Sequence, residues 1–376
     1  MAYFIGLMSG TSMDGVDAVL CDISENSVQT IDCVSYPYPT PLLTILHSLC
    51  SPGSEEINLM GSADRAVADT FARAVNRLLE KNHLAPDDIV ALGSHGQTVR
   101  HHPGGVAVHR VASTFGFTLQ IGDPNTLAIL TGIDVISDFR RKDIALGGEG
   151  APLVPAFHQA VFAREQASRT VVNIGGIANI SVLAPKHNSQ GVTGFDTGPG
   201  NTLMDAWCRQ HTGNPYDEGG LWAAGGTPDN RLLRRMLDDP YFHRNGPKST
   251  GREYFNLTWL HDVITPLVIA PQDVQASLLS LTATSISDAV RSQPSSGDII
   301  VCGGGAFNHT LMDALSRALP DCQISTSKTV GIHPQWVEGA AFAWLAYAFT
   351  QKIPGNVPAV TGASRPAVLG TLTPAS

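Results

Sequence analysis

Charge is scarce in this chain, and long apolar runs are missing. Only 15% of its 376 residues are Asp, Glu, Lys or Arg, and 24 basic against 33 acidic residues leave a net charge of -9 with no long basic run. Nucleic-acid binding needs a concentrated positive footprint, so no nucleic-acid partner is expected. No stretch approaches the ~18 consecutive apolar residues of a membrane span. The N-terminus runs straight into Phe4, Ile5 and Leu7, without the basic leader or small-residue cleavage site of a signal peptide. The expectation is a cytoplasmic protein without a membrane partner. The six cysteines contain no Cys-x-x-Cys pair and the thirteen histidines no metal spacing, so neither a zinc site nor a disulfide framework is expected.

Three common active-site signatures are also absent. No lysine follows a glycine, which removes the Walker A loop, and no Gly-x-Gly-x-x-Gly occurs, which removes the dinucleotide fingerprint. Gly93-Ser94-His95-Gly96 approaches a serine-hydrolase elbow, but Leu92 stands where that turn requires its first glycine. His95 alone reads as structural.

What is present is an α/β pattern long enough for two domains. The apolar run Tyr3–Met8 is followed by Ser9-Gly10-Thr11-Ser12-Met13-Asp14-Gly15, and Val16–Cys21 resumes at once, which reads as a β-hairpin. The same grammar recurs at 170–182, where Gly175-Gly176 separate two apolar runs, so two domains on a related plan are expected. Val67, Phe71, Val75, Leu78 and Leu79 lie on one helical face. Strands are expected at Ile89–Leu92, Phe117–Ile121, Ile133–Ser137 and Ile299–Cys302. Helices are expected around Val274–Leu281, with Asp273 as N-cap, and over Leu311–Leu319 and Trp336–Phe349. The tail beyond Pro354 reads as ordered coil. The domain boundary is placed between residues 137 and 138, with residues from about 350 to 376 packing back on the first domain.

The segment Gly10–Asp17 is the leading phosphate loop. Glycines let backbone N–H groups approach phosphate oxygens, and Thr11 and Ser12 add hydroxyl donors. Asp14 and Asp17 suit such a loop if Mg²⁺ or its waters lie between them and phosphate. An ordinary tight turn uses the same residues. Asp196, between an apolar lead-in and a helix opening near Asn201, suits a general base, and a turn or capping aspartate is the structural alternative. The basic cluster Arg140-Arg141-Lys142 reads either as an anion site or as a solvated edge. Glu338 reads as a surface residue or as a carboxylate turned into a cleft; periodicity leaves both open.

Taken together, the motifs resemble one family. Met8–Asp17, Ser94–Thr98, Asp138–Arg141, Gly150–Phe157, Asn173–Gly176, Asp196–Asn201, Pro247–Glu253 and Cys302–Gly305 occur in the order and spacing of the anhydro-N-acetylmuramic acid kinases, across essentially the whole chain. The resemblance implies the fold shared by actin, sugar kinases and heat-shock chaperones: two ribonuclease-H-like domains flanking a nucleotide cleft. It implies ATP and Mg²⁺ as cofactors. The phosphate loops would be Gly10, Thr11, Ser12, Met13, Asp14, Gly15, Val16, Asp17, Gly175 and Gly176, and the adenosine loop Gly303, Gly304 and Gly305. It further implies that 1,6-anhydro-N-acetylmuramic acid is opened by water and phosphorylated on O6, in peptidoglycan recycling. Asp196 matches the family's base, and Gln97, Arg141 and Glu338 match sugar contacts. Direct metal ligands are not implied, and a homodimer is left open. An ordinary sugar kinase acting on a free hydroxyl, or a non-catalytic ATP-gated module of this fold, are the other readings. Three departures stand out: residues 104–116 are longer than usual, Glu149 stands where glutamine is expected and is read as pointing away from phosphate, and Lys142 replaces a common arginine.

Overall fold

The computed structural model describes residues 2–376 apart from 11, 12, 14, 26, 109, 110, 113, 114, 187–191, 245–247, 252, 253, 266 and 294–296. It forms two compact units, Met1–Val161 with Trp336–Ser376, and Phe162–Gln335.

The first unit is built on strands β1 (Tyr3–Ser9), β2 (Gly15–Ser24), β3 (Ser27–Pro37) and β4 (Ile89–His102). A two-residue pair, β5 (Ala107–Val108) with β6 (Val111–Ala112), is followed by β7 (Phe117–Ile121) and β8 (Val135–Ser137). β1, β2 and β3 form an antiparallel meander, while β4 runs parallel to β1 and β8 parallel to β4. β7 pairs antiparallel with the far end of β4, and the last strand, β14 (Thr371–Thr373), closes the edge on β8. β1 is apolar at nearly every position because helices cover both of its faces. On one face lies the helix Glu56–Asn82, whose Val67, Phe71, Val75, Leu78 and Leu79 are all buried as their spacing requires. On the other lies the helix Val337–Thr350, apolar nearly all round.

That second helix approaches the sheet closely because glycines face it. A Cβ on Gly6 would lie 1.8 Å from the Gly339 carbonyl oxygen, and one on Gly93 would lie 2.0 Å from that of Phe342. Glycine in a strand interior ordinarily weakens it; here it admits another backbone.

The second unit repeats the plan. Its strands are β9 (Arg169–Ile174), β10 (Ile177–Leu183), β11 (Val192–Pro199), β12 (Asp298–Cys302) and β13 (Gln323–Thr326). The order β11-β10-β9-β12-β13 is again an antiparallel meander extended by two parallel strands. Its core is centred on the helix Pro271–Arg291. Pro271 sits in the first turn and Ala270 caps that helix, so Asp273 is not the N-cap. Its carboxylate instead accepts from the Thr227 N–H.

The division differs from the expected boundary at 137/138. Residues 138–161 stay with the first unit because the C-terminal segment ties them there. Asp143, fully buried, accepts from Gly150 N, from Asn356 Nδ2 and from the Thr361 hydroxyl at 2.7–2.8 Å. Lys142 donates to the Val368 carbonyl at 2.6 Å, and the Glu149 N–H to that of Thr361. The returning segment begins at Trp336, so it includes the apolar helix as well as the tail.

Candidate active site

In the first unit, β1 and β2 place residues 10–14 in their connection, with Met8 opposite Asp17. Thr11, Ser12 and Asp14 lie outside the described residues. Gly10 accepts from the Met13 N–H at 3.2 Å, and Met13 has φ 57°, a left-handed conformation that costs a non-glycine residue. Gly15 is required by close approach, since a Cβ would sit 2.2 Å from the Tyr36 carbonyl oxygen. The side chains of Met13 and Val16 belong to the core, so only their backbone is available to a ligand.

Gln97 does not have the placement of a sugar contact. It is fully buried, its Oε1 accepting from the Ser9 hydroxyl at 2.6 Å and its Nε2 donating to the Gly10 carbonyl at 3.3 Å. It braces the base of the loop instead.

The basic cluster does not act as one patch; its three cations diverge. Lys142 is held by tail carbonyls. Arg141 is largely exposed, 3.5 Å from Asp138, and lines a cavity of about 340 Å³ shared with Asp64, Ser94, His95, Gln120 and Asp138. Arg140 donates through Nη1 to the Gly150 carbonyl at 2.7 Å and through Nε and Nη2 to His95 Nε2 at 3.1 and 2.9 Å. That ring nitrogen therefore accepts, and His95 carries its proton on Nδ1. Burial, then the Arg140 charge, lowers His95 to about 3, so it is neutral at physiological pH. Burial also lowers Arg140, to about 10, against the pull of Glu338.

Glu338 sits in the first turn of the helix Val337–Thr350. Its side chain is exposed to solvent, although protein surrounds the carboxyl on several sides. Desolvation by the surrounding protein raises it above the ordinary carboxylate range; Arg140 opposes this and Asp17 adds to it. Glu149 is exposed, with its charge near enough to His101 to act on it.

In the second unit, Gly175 and Gly176 form the β9–β10 turn. Their carbonyls accept from the N–H groups of Gly200, Asn201 and Thr202, at the start of the helix Thr202–Thr212. Their own N–H groups donate to no described residue. Asn201 does not cap that helix with its side chain, which donates to the Ile174 carbonyl. The three glycines at 303–305 differ in role. Cβ atoms on Gly303 and Gly305 would collide with Asn173 and Ile174 of β9, whereas Gly304 lines a cavity of about 670 Å³. Asn201, Asp205, Tyr216, Leu221 and Phe307 share that cavity.

Asp196 lies within β11 rather than at the end of a strand. It faces Asn179 at a bulge that leaves Thr197 unpaired in the register, a device that re-aims side chains. Its Oδ2 accepts from the Ser249 hydroxyl and the Thr250 N–H, both at 3.0 Å. The carboxyl is half-buried and raised above its usual range by desolvation, against those two donors. Sequence reasoning passed over Ser249 and Thr250 as individual residues, although they lie in the Pro247–Glu253 motif; the pairing of that motif with Asp196 is purely tertiary. Arg140 was read only as part of a cluster, because no local pattern reveals which cation turns inward. Among the described residues no group of three or more His, Cys, Asp or Glu is arranged to hold a metal ion.

Two α/β units on one plan, each with a glycine turn after its first strand, define the actin-like ATPase fold of the phosphotransferases. The crystal structure of the Acidaminococcus fermentans (R)-2-hydroxyglutaryl-CoA dehydratase component A matches 94% of this chain and 100% of its own, with a TM-score of 0.50 and 14% identity, which bears on fold alone. The family model described as anhydro-N-acetylmuramic acid kinase matches residues 2–375. Proteins of that name from Shewanella woodyi (53% identical over 375 residues, covering 100% of this chain and 99% of the relative) and Shewanella sediminis (54% over 374 residues, 99% of each) are similar end to end. The chain belongs to the anhydro-N-acetylmuramic acid kinase family, and its activity is that of a kinase.

Proposed function

We propose that the chain takes 1,6-anhydro-N-acetylmuramic acid, ATP and water to N-acetylmuramate 6-phosphate and ADP, with Asp196 as the base, in peptidoglycan recycling. O6 of this substrate is locked in the anhydro bridge and has no proton to remove. Water must therefore be activated, as in an inverting glycosidase. Asp196 takes a proton from water, whose oxygen bonds to C1. The C1–O6 bond breaks, O6 bonds to the γ-phosphorus, and the bond from that phosphorus to the β-phosphate oxygen breaks to release ADP.

The observation that carries this reading is the state of Asp196: half-buried, raised in basicity by desolvation, and without any cation paired to it among the described residues. A stronger base near neutral pH is what the water step needs. The free N–H groups of Gly175 and Gly176 suit phosphate oxygens, and Gly10, Gly15 and Asp17 supply the corresponding turn in the first unit. Gly304 and the cavity it lines suit the nucleoside end. Arg141, on its own cavity, and Glu338 are the sugar contacts; Gln97 serves them only by bracing the loop.

Asp17, the carboxylate that follows the first-unit turn, is the residue that would hold Mg²⁺, directly or through its waters. Bound there with ATP, Mg²⁺ would neutralise charge on the phosphates.

Asp196→Asn is expected to keep nucleotide binding and to lose about 10²–10⁴-fold in turnover. Near-normal turnover in that variant would remove Asp196 as base. Reaction in ¹⁸O-water should place solvent oxygen on C1; its absence would point to transfer onto a free hydroxyl.

A further inference from the structure

The two oxygens of Asp196 stand in different surroundings. Oδ2 accepts two hydrogen bonds, from Ser249 Oγ and Thr250 N, whereas Oδ1 has none among the described residues. We infer that the Ser249–Thr250 pair is a bracket that commits Oδ2 and leaves Oδ1 as the proton-accepting oxygen, which makes Ser249 a positioning residue for the reaction. The inference rests on the reading of Asp196 as base.

The bracket is held at several points. Asp196 N donates to the Lys248 carbonyl at 3.0 Å, and the Tyr241 hydroxyl to the Asp196 carbonyl at 2.6 Å, so backbone and carboxylate are fixed from the same side. Lys248 Nζ donates to the Tyr241 carbonyl at 3.2 Å and lies 4.6 Å from the centroid of its ring, which ties the bracket to that tyrosine. Tyr241 is anchored in turn by Asp239, which accepts from its N–H at 2.8 Å, from the Tyr254 hydroxyl at 2.9 Å and from Trp259 Nε1 at 2.9 Å. Residues far from Asp196 in sequence thus set the rotation of its carboxylate.

Two donors on one oxygen draw negative charge to it and hold the plane of the carboxylate. Among the described residues, the charged or titratable groups around Asp196 are Tyr241 and Lys248, with Arg244 acting on both; none of them donates to the carboxylate. Ser249 is therefore the side-chain donor whose removal acts directly on it.

The test compares Ser249→Ala, Ser249→Thr and Asp196→Asn in the full chain, with ATP and 1,6-anhydro-N-acetylmuramic acid as substrates. Ser249→Ala is expected to lower kcat roughly tenfold, the lower range for a hydrogen bond to a charged group, with KM for both substrates within about twofold. The acidic limb of its kcat–pH profile moves to higher pH, because a donor favouring the charged form is gone. Ser249→Thr restores both, and the melting temperature is unchanged throughout. Wild-type kcat with an unmoved acidic limb in Ser249→Ala overturns the bracket. A kcat loss that follows a fall in melting temperature and is not restored by threonine overturns it too. If Asp196→Asn is inactive while Ser249→Ala is normal, only the bracket fails; if Asp196→Asn turns over normally, the underlying reading fails with it.

Discussion

The contact between Gly6 and the helix Val337–Thr350 links stability to the site. An alanine at position 6 would place its methyl carbon 1.8 Å from the Gly339 carbonyl oxygen and 2.5 Å from Ala343 N. An ordinary C···O contact is about 3.3 Å, so the helix must withdraw by roughly 1.5 Å or the strand must distort. Neither can happen cheaply, because β1 is the parallel partner of β4 and the antiparallel partner of β2. Overpacking of this severity exceeds the usual ~1–3 kcal/mol, and about 3 kcal/mol is the minimum expected. For a unit of about 200 residues that corresponds to a fall in melting temperature of at least ~6 °C. Glu338 immediately precedes Gly339, so the carboxyl moves with the displaced turn, and a misplacement of ~1 Å is enough to cost ~10²-fold in activity. Urea unfolding and steady-state kinetics on Gly6→Ala measure both effects. Gly61→Ala is the control: it lies within the helix Glu56–Asn82 with nothing within 4 Å of an added Cβ, and should stabilise by ~0.8–1 kcal/mol. A Gly6→Ala protein that melts within about 1 °C of the parent and turns over normally would refute the packing argument.

Other consequences concern buried polar groups. His95 and His158 are each lowered to about 3 by burial, so both are neutral when folded and take up protons on unfolding below the ordinary histidine value. The unfolded state then binds more protons, and stability falls as pH drops from about 6.5 toward 3, by on the order of 1 kcal/mol per pH unit for each histidine. Calorimetry at pH 5 should detect uptake of about two extra protons on unfolding, and an uptake fully explained by the other histidines would count against it. Asp143→Asn sets an amide N–H₂ against one of three donors, at a cost of about 1–3 kcal/mol. Limited proteolysis should then release the segment after Ile353 earlier than in the parent; equal protection would show that the tail is held by other contacts.

Much of the fold was legible because its signals are local. Periodicity marked the helix Glu56–Asn82, and the two glycine turns marked both hairpins and, with them, the repeated plan of the two units. The site was legible only in part. That Gln97 is buried beneath the loop, that Arg140 turns inward while Arg141 and Lys142 do not, and that Asp273 loses the cap to Ala270 all depend on contacts no window of sequence contains. The first boundary was misplaced because Asp143 finds its partners more than 200 residues away, at Asn356 and Thr361.

Composition, turn chemistry and the period of apolar residues follow from the chain's own backbone preferences, so the sequence by itself determined the α/β class and the two glycine-turn hairpins. The basicity of Asp196, the neutrality of His95 and the raised carboxyl of Glu338 belong to the tertiary structure. Each is set by how much water is excluded and which donors arrive from distant segments, and burial and long-range pairing exist only once the chain has folded.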